Sequence, residues 1–376
     1  MTQPPAAPAY EQGTLANVLP SIAAALGVGG MPNTFGIPPA RRAVVVLVDG
    51  LGDVLLSRRS GHAPFLRNLD RRRIVCGFPS TTATSMGSFG TGLLPGTHGL
   101  VGYTVLVPGA DRVLNELSWE DGPDPHTWQP NQTVFERAER DGVAVTRIGP
   151  GYFDGSGLTM AALRGGRFTA ARSLPDRVDA TLAALRADRR SLVYLYWGDI
   201  DKLGHEHGCD SWQWSAELES VDAAIRRLVE SVPADTAVVL TADHGMVDIP
   251  QDARIDLAHD PELAAGVRHV AGEARGLQLH CETGAHADVL ATWRDRLGES
   301  AWVLSRQEAE SARLFGLVEP AVRDRIGDVL VVMRERVAVV DSRTQRPELL
   351  RLIGQHGALT EDELAIPLIV VPPRNS

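Results

Sequence analysis

The chain has 376 residues, of which 44% are hydrophobic and 22% are charged, and its formal net charge at pH 7 is −10. This length and composition are typical of a globular protein with a sizeable core, built as one large domain with an insertion or as two modest domains. The negative charge, with no basic run beyond the three arginines at 71–73, argues against a nucleic-acid-binding surface.

The N-terminal sequence MTQPPAAPAYEQGTL has neither a basic start nor a long apolar segment. We therefore predict no signal peptide and no membrane-spanning helix. Residues 1–40 are predicted to form an N-terminal extension, disordered over its first ten residues, which are rich in Pro and Ala. The three cysteines, Cys76, Cys209 and Cys281, form no CxxC motif, which predicts neither a disulfide framework nor a cysteine zinc site and favours a cytoplasmic protein.

Short β-branched runs alternate with segments that favour helices between residues 41 and 254. This alternation predicts an α/β fold with a mainly parallel sheet and helices on both faces. The predicted strands are 43–48, 143–149, 191–197, 236–242 and, at the far end of the chain, 366–371. The predicted helices include 173–188 and 209–231.

A different pattern covers residues 255–345, where the order strand, strand, helix, strand predicts a small α+β insertion that caps the core. Within it, DVLVVMRERVAVVD at 328–341 is predicted to form a hairpin. Residues 346–376 are then predicted to return to the core sheet. The main core is accordingly 41–254, with the insertion following it.

Polar side chains follow the apolar runs where strands are predicted to end. Asp49 follows the first run, Asp243 and His244 follow the run at 236–242, and GDIDKLGHEHG, after the run at 191–197, contains Asp201 and His205. Ligands of open α/β sheets bind beyond the carboxyl ends of the strands, so we expect these side chains to meet. Taken singly, each has an ordinary explanation. Asp49 followed by Gly is a common turn signal, and Asp201 and His205, four residues apart, could form an ion pair on the surface of a helix.

The stretch GFPSTTATSMGSFGTGL, residues 77–93, has five hydroxyl side chains in the six positions from 80 to 85. One explanation is helix capping, for which Ser80 or Thr81 is suited. Another is a hydroxyl nucleophile, activated by a metal and placed at a helix N-terminus, where an anion gains about 0.3–1 kcal/mol. Asp and His ligands without Cys favour a catalytic Zn²⁺ or Mn²⁺ site.

A further imidazole, His356 in GQHGALT, precedes the last predicted strand. The candidate ligands are now more numerous than the four that one tetrahedral metal ion binds, and they divide naturally between two metals about 3.5–4 Å apart. Such a pair clamps the attacking and leaving oxygens of a phosphoryl transfer. The sequence therefore predicts two divalent ions, zinc by preference with manganese as the alternative.

Five motifs carry these residues: VVLVDGLG, FPSTTATSMGSFGTGLLPGTHGLVGY, GDIDKLGHEHG, TADHGM and GQHGALT, spanning residues 43 to 358. In order and spacing they resemble the alkaline phosphatase superfamily, and more closely its nucleotide pyrophosphatase/phosphodiesterase branch. The resemblance implies a three-layer α/β/α fold with a mainly parallel central sheet. It also implies one metal held by Asp49, Thr82, Asp243 and His244, and a second held by Asp201, His205 and His356.

The same resemblance implies that Thr82 is the nucleophile, because the family's nucleophile lies nine residues before the Thr of TGL, here Thr91. A shift in this spacing would give the role to Thr81 or Thr84. The chain departs from the branch in two places. Ala-Thr-Ser follows Thr82 where the branch has Phe-Pro-Asn, and Tyr103 stands near the position of an Asn that binds a phosphoryl oxygen.

Three histidines and Tyr103 complete the candidates. Tyr103 could donate a hydrogen bond to substrate or could be a buried structural tyrosine. His280, in the insertion, is a candidate for substrate contact rather than for metal binding. His98 and His207 resemble family positions that support the site, at most through a hydrogen bond to a ligand.

The combined prediction is a metal-dependent phosphohydrolase that cleaves a phosphodiester or pyrophosphate bond in a nucleotide-type substrate through a phospho-threonine intermediate. The alternatives are a phosphomonoesterase, a phosphonate hydrolase or a sulfate-ester hydrolase of the same superfamily, and a non-catalytic protein that binds metal or a phosphorylated ligand. The expected partner is a small phosphorylated substrate, with neither nucleic acid nor membrane. The sequence carries no signal for the oligomeric state.

Overall fold

The computed structural model describes residues 5–375, so the disorder predicted for residues 1–4 lies outside the described residues. Among the described residues the α-helices are α1 Val18–Ala25, α2 Asp53–Arg58, α3 Pro64–Arg67, α4 Thr82–Thr91, α5 Pro95–His98, α6 Pro125–Trp128, α7 Val134–Arg140, α8 Gly157–Ala162, α9 Leu174–Ala187, α10 Asp199–His207, α11 Trp212–Ser231, α12 Pro261–Ala264, α13 His286–Leu297, α14 Arg306–Ser311, α15 Pro320–Arg323 and α16 Glu361–Leu364.

The strands of the same residues are β1 Arg42–Val48, β2 Arg71–Val75, β3 Thr104–Val107, β4 Arg112–Asn115, β5 Ala144–Gly149, β6 Arg167–Ala170, β7 Ser191–Trp197, β8 Thr236–Thr241, β9 Val247–Asp248, β10 Arg254–Asp256, β11 Val267–Glu273, β12 Gly276–Cys281, β13 Ala301–Ser305, β14 Val329–Met333, β15 Ala338–Val340, β16 Gly354–Gln355 and β17 Ala365–Val371. The five predicted strands match β1, β5, β7, β8 and β17 within two residues at each end.

The central sheet has the strand order β2-β17-β8-β1-β7-β5-β6. β1 lies in the middle and pairs in parallel with both β7 and β8. β17 runs antiparallel to β8 and β2. The apolar runs of β1 and β8 are buried almost throughout, as expected for parallel strands covered on both faces. The predicted α/β fold with a mainly parallel sheet is confirmed.

Helices cover the sheet on both sides. On one face, Tyr194 of β7 packs against Phe89 of α4 and Phe135 of α7, with ring centroids 5.4 and 5.9 Å away. On the other, Trp197 of the same strand lies 4.6 Å from the guanidinium carbon of Arg177 of α9. Because side chains of a strand alternate between its faces, these contacts define helix layers above and below the sheet.

The N-terminal segment packs into the core from residue 15 onward, since Leu15, Leu19 and Ile22 are fully buried. Disorder was predicted for the first ten residues, yet the Tyr10 hydroxyl donates a hydrogen bond to the carbonyl of Leu314 at 2.6 Å. Among residues 5–375, no helix is long and apolar enough to cross a membrane. The domain boundaries drawn from the sequence stay predictions.

A second sheet, of order β11-β12-β14-β13, is formed by residues of the predicted insertion. The hairpin predicted at 328–341 is wrong, because β14 pairs with β12 and β13 whereas β15 pairs in parallel with β10. The physical reason is that each strand pairs with a partner distant in sequence. Arg275, at the turn between β11 and β12, donates to the carbonyls of Glu335 and Val337 at 2.8 Å each and so contacts the connection between β14 and β15.

Candidate active site

Two carboxylates and an imidazole meet where β1 and β8 end. These strands are parallel and in register, so the residues that follow them, Asp49 and Asp243, leave the sheet side by side. Nε2 of His244 lies 3.4 Å from Oδ1 of Asp49 and 3.7 Å from Oδ2 of Asp243. All three side chains are buried, and their candidate ligand atoms lie within 4.8 Å of one another.

A second group lies next to the first. Asp201 and His205 are one turn apart on α10, with Nε2 of His205 3.4 Å from Oδ2 of Asp201. Nε2 of His356 lies 4.0 Å from Oδ1 of Asp201. The ligand atoms of Asp201, His244 and His356 again lie within 4.8 Å of one another. His244 therefore belongs to both groups and joins them.

Gly50 allows α10 to approach β1. Its φ of +71° lies in the left-handed region that favours glycine, and a Cβ atom there would lie 2.9 Å from the Cα of Asp201. A side chain at this position would push Asp201 away from Asp49. The Asp49-Gly50 pair therefore marks the turn after β1, and the absence of a side chain at Gly50 leaves room for the second group beside the first.

The free ligand atoms of this site fit divalent cations. Within the described part of the chain, Oδ1 of Asp49, Oδ2 of Asp243 and Oδ1 of Asp201 are buried and have no hydrogen-bond partner. A buried carboxylate oxygen without a partner is costly, and here the three converge with imidazole nitrogens. A mixed set of carboxylates and imidazoles without cysteine suits Zn²⁺ or Mn²⁺.

The backbone fixes the orientation of the three imidazoles. Nδ1 of His205 lies 2.7 Å from the carbonyl of Gly354, Nδ1 of His356 lies 2.9 Å from that of Ser80, and Nδ1 of His244 lies 3.1 Å from that of Gly245. A carbonyl oxygen only accepts hydrogen bonds, so each Nδ1 carries the proton and each Nε2 offers a lone pair. This tautomer is the one that binds a metal through Nε2.

The electrostatics of the site favour added positive charge. Burial raises the pKa of Asp49 well above its usual range, and the neighbouring charges of Asp243 and Asp201 raise it further. Burial also raises the pKa of Asp243, and it lowers the pKa of His356, as do His244 and His205. Bound cations would stabilise the ionised carboxylates and the neutral imidazoles together.

Thr82 is the first residue of α4 and lies at this cluster, with its Oγ1 3.2 Å from Nε2 of His244. Thr81 instead donates to Oε1 of Glu273 at 2.5 Å. Oγ1 of Thr84 is buried and has no partner within residues 5–375. Of the three threonines considered from the sequence, Thr82 is the one in contact with a candidate metal ligand.

The capping expected of Ser80 or Thr81 is wrong for both side chains. Thr81 occupies the N-cap position of α4, but over the described residues no side chain caps this helix. The Ser80 hydroxyl donates to the carbonyl of Ala358 at 2.8 Å and accepts from the N–H of Gly357 at 3.1 Å. These bonds tie the loop that carries His356 to the segment that carries Thr82.

The sequence reasoning missed Tyr196 of β7. Its hydroxyl donates to Oδ2 of Asp49 at 2.6 Å, which leaves Oδ1 as the free oxygen of that carboxylate. It also missed Ser85, which donates to the carbonyl of Asp243 at 2.8 Å. A signal for Tyr196 was its position near the carboxyl end of a strand next to β1. Because it lies within the apolar run SLVYLYW, it was interpreted as a core residue of the strand.

The remaining predicted residues lie outside the cluster. His280 is buried on β12, and the groups that act on its pKa, Asp328, Arg306 and His269, lie in the insertion; burial lowers that pKa to about 4. The structure does not bring His280 to the candidate ligands. Tyr103 lies close enough to Glu273 for that carboxyl to raise its pKa, after the larger effect of burial.

His98 and His207 differ in their surroundings. Nε2 of His98 lies 3.0 Å from the hydroxyl of Ser88 in α4, so it supports the helix that Thr82 begins. His207 ends α10, and its side chain is 40% exposed.

A family model for type I phosphodiesterase / nucleotide pyrophosphatase matches residues 43–359. The chain belongs to this family. Membership confirms the resemblance drawn from the five motifs. The match covers every candidate metal ligand from Asp49 to His356.

Two curated relatives resemble part of the chain. An uncharacterised pyrophosphatase/phosphodiesterase of Schizosaccharomyces pombe is 28% identical over 218 residues, covering 56% of this chain and 43% of that protein. A phosphopentomutase of Desulfitobacterium hafniense is 25% identical over 180 residues, covering 47% of this chain and 43% of that protein. The chain thus matches less than half the length of these curated relatives.

Solved structures share the fold. Murine ectonucleotide pyrophosphatase/phosphodiesterase 5 superposes with a TM-score of 0.72 at 19% identity, covering 88% of each chain. Phosphonoacetate hydrolase from Sinorhizobium meliloti superposes with a TM-score of 0.69 at 20% identity, covering 89% of this chain and 91% of that one. At these identities the likeness establishes the fold, and it confirms the predicted alkaline phosphatase-like architecture.

Proposed function

We propose that this member of the phosphodiesterase family is a two-metal phosphohydrolase that cleaves a phosphodiester or pyrophosphate bond through a phospho-threonine intermediate on Thr82. The observation that carries the proposal is the position of Oγ1 of Thr82, 3.2 Å from Nε2 of His244. It lies at a helix N-terminus and beside buried carboxylate oxygens that have no partner among the described residues. A hydroxyl in this place has both an activating group and an anion-binding surface at hand.

Two sets of residues would hold the cations. Bound there, two divalent ions would lower the pKa of a hydroxyl and neutralise charge on the phosphoryl oxygens. Zinc is the proposed metal, with manganese as the alternative. The first set is Asp49, Thr82, Asp243 and His244, and the second is Asp201, His205 and His356.

The chain's own groups would do the rest of the chemistry. The N–H groups at the start of α4, which have no intrahelical acceptor, would orient the phosphoryl oxygens. Oγ1 of Thr82 would form a bond to phosphorus while the bond to the leaving oxygen breaks. Water would then hydrolyse the phosphate ester of Thr82 and regenerate the hydroxyl. Tyr196 would hold Asp49 in place throughout through its 2.6 Å hydrogen bond.

A nucleotide-type substrate is supported by a pocket that has an exposed aromatic ring on its lining. A cavity of about 700 Å³, lined by Tyr152, Ala170 and Arg172 among others, opens where β5 and β6 end. The Tyr152 ring is 79% exposed and adjoins Phe153, which packs against Tyr196. An exposed aromatic ring offers a surface on which a base can stack. The murine relative has been solved in an inactive form with AMP bound.

A second candidate function is the hydrolysis of phosphonates, phosphomonoesters or sulfate esters. It is favoured by the fold shared with phosphonoacetate hydrolase, which has been solved with phosphonoacetate and with phosphonoformate. Charge on the substrate separates the candidates, since a diester carries one negative charge on phosphorus and a monoester carries two near neutral pH.

The test is turnover by the metal-loaded protein on bis-p-nitrophenyl phosphate, the p-nitrophenyl ester of thymidine monophosphate, p-nitrophenyl phosphate and p-nitrophenyl sulfate. We expect the two diesters to be hydrolysed fastest. Thr82→Ala should lower turnover by far more than tenfold while metal content is retained, whereas Thr127→Ala, the same change at an exposed threonine of α6, should not. A loss of tenfold or less, about 1.4 kcal/mol, would refute the role of Thr82. Tight nucleotide binding without turnover would instead support the non-catalytic alternative.

The cellular location is proposed on separate grounds. Cys76 and Cys209 are buried and Cys281 is half-buried, and all three are free thiols. Unpaired cysteines suit a reducing compartment, and we propose the cytoplasm.

A further inference from the structure

The hairpin between β11 and β12 reaches from the insertion to the nucleophile segment. Its residue Glu273 accepts a hydrogen bond from the hydroxyl of Thr81 at 2.5 Å. We propose that Glu273 is a positioning residue that keeps the Thr81 hydroxyl off the N-terminus of α4, so that this end of the helix stays open to the phosphoryl group. The inference deepens the proposed function and rests on it.

Thr81 has the backbone of a capping residue but does not cap. Its φ of −141° and ψ of 149° are extended, the conformation in which an N-cap threonine normally accepts a hydrogen bond from the second or third N–H of the helix. The carboxyl of Glu273 is the alternative partner that holds the hydroxyl away. Without that partner, rotation of the Thr81 side chain would allow it to cap the helix.

The N–H groups that stay open are those of Thr82, Ala83 and Thr84. The first backbone bond inside the helix is donated by Ser85 to the carbonyl of Thr81, so the three preceding N–H groups have no intrahelical acceptor. Open N–H groups at a helix start attract an anion. A cap by Thr81 would compete with that anion for the same donors.

Buried side chains around this helix end point independently to a ligand. Within residues 5–375, Oγ1 of Thr84, Oδ1 of Asp49 and Oδ2 of Asp243 are buried without a hydrogen-bond partner. The Thr84 hydroxyl sits in the same first turn, and the two carboxylates flank His244, the contact of Thr82. The open helix end and the unpartnered oxygens belong to one site.

Glu273 is held firmly in this position. Two residues further on, Arg275 donates from Nε and Nη2 to the two carboxylate oxygens of Glu363 at 2.9 Å each. Gly276 packs against the loop of His356 so closely that a Cβ atom would lie 2.3 Å from the carbonyl of Gly357. The hairpin is therefore fixed to the core just after Glu273.

The hydrogen bond from Thr81 does not require a particular charge on Glu273. A carboxyl oxygen accepts from a hydroxyl in either protonation state, and so does the amide oxygen of glutamine. This separates the positioning role from any role that depends on the negative charge of Glu273.

Three variants test the proposal: Glu273→Ala, Glu273→Gln and the double variant Glu273→Ala with Thr81→Val. The first frees the Thr81 hydroxyl to cap, the second keeps an acceptor for it, and the third removes the hydroxyl that would cap. One readout is inhibition of bis-p-nitrophenyl phosphate hydrolysis by inorganic phosphate. The other is amide hydrogen exchange in a peptide covering residues 79–86, which needs no activity. Thermal unfolding and metal content establish that each variant is folded and loaded.

We expect Glu273→Ala to weaken phosphate inhibition at least fivefold and to slow exchange in the first turn of α4, since a cap gains about 1 kcal/mol. Glu273→Gln and the double variant should both return to wild-type values. Equal losses in Glu273→Ala and Glu273→Gln, or no recovery in the double variant, would overturn the inference. If the wild-type protein hydrolyses no ester, the proposed function fails, and unchanged exchange in Glu273→Ala overturns the positioning role separately.

Discussion

The imidazole rings of His244 and His356 are stacked, with centroids 3.8 Å apart and 22° between their planes. Each ring has its Nδ1 against a backbone carbonyl, so both Nε2 atoms are free on the side of the carboxylates. Two imidazolium cations at this distance would repel each other, and burial with the charge of His244 lowers the pKa of His356. The Nε2 atoms of both rings are therefore placed to bind metal, and burial keeps the His356 ring neutral.

This stacking leads to a prediction about metal content. His356→Ala removes a proposed ligand of the second group and leaves Asp49, Asp243 and His244 intact, so we expect the purified variant to retain one metal ion per chain instead of two. Metal analysis after dialysis against a weak chelator measures the change. His207→Ala, on the exposed end of α10, is the matched control and should bind two. Loss of both metals in His356→Ala would contradict the division into two groups.

The hydrogen bond from Tyr196 to Asp49 leads to a second prediction. Tyr196→Phe removes the donor at 2.6 Å and leaves the carboxylate free to rotate, so we expect metal affinity at the first group to fall about tenfold. Competition with a chromophoric chelator measures it. Tyr194→Phe is the control, because this buried tyrosine of the same strand contacts the sulfur of Met86 at 3.6 Å. Equal affinities of Tyr196→Phe and wild type would show that packing alone holds Asp49.

Most of the architecture could be read from the sequence, because buried parallel strands leave long β-branched runs. The runs that became β1, β7 and β8 needed no knowledge of distant contacts, and their ends located Asp49, Asp201 and Asp243. The pairing of β14 and β15 with different sheets could not be predicted, since the partners of these strands, β10, β12 and β13, are distant in sequence.

The sequence predicted those residues of the candidate site that directly follow strands. Thr82 was predicted as the nucleophile from its spacing from Thr91, on a resemblance rather than a physical deduction, and that role stays a proposal. Tyr196 and Glu273 were missed for a physical reason: each acts through one hydrogen bond to a residue 147 or 192 positions away. A single sequence shows no trace of such a contact. Ser80 was interpreted as a cap because its partners, Gly357 and Ala358, come from the far end of the chain.

The ion pair between Arg275 and Glu363 leads to a third prediction. Both side chains are almost fully buried, at 1% and 0% exposure, so Arg275→Met would leave an uncompensated carboxylate in the core. We expect a loss of about 3–5 kcal/mol in the free energy of unfolding by urea. The double variant Arg275→Met with Glu363→Gln should recover part of it, because the remaining buried group is then neutral. Arg226→Ala, which breaks an exposed pair, is the control and should leave the urea midpoint nearly unchanged. A similar midpoint in Arg275→Met would mean that the hairpin is not fixed by this pair.

The buried carboxyl of Glu116 leads to a fourth prediction, about pH. Its side chain is fully buried and accepts from Nε1 of Trp128 at 2.7 Å, and Oε2 has no partner over the described residues. Burial raises the pKa of Glu116 from an ordinary 4.5 to about 8, against smaller lowering effects of Trp128 and Arg325. Between these two values the folded chain holds a proton that the unfolded chain has released.

The sign follows from proton linkage. The stabilising contribution of Glu116 is complete below its unfolded pKa of 4.5 and is lost as the pH rises toward about 8, at up to about 1.4 kcal/mol per pH unit. Glu116→Gln keeps the acceptor for Trp128 and cannot ionise, so the free energy of unfolding of this variant relative to wild type should grow as the pH is raised through this range. Urea unfolding at several pH values measures the difference. Glu120→Gln, at an exposed position in the same region, should run parallel to wild type. A Glu116→Gln curve parallel to wild type would show that Glu116 is ionised in the folded protein.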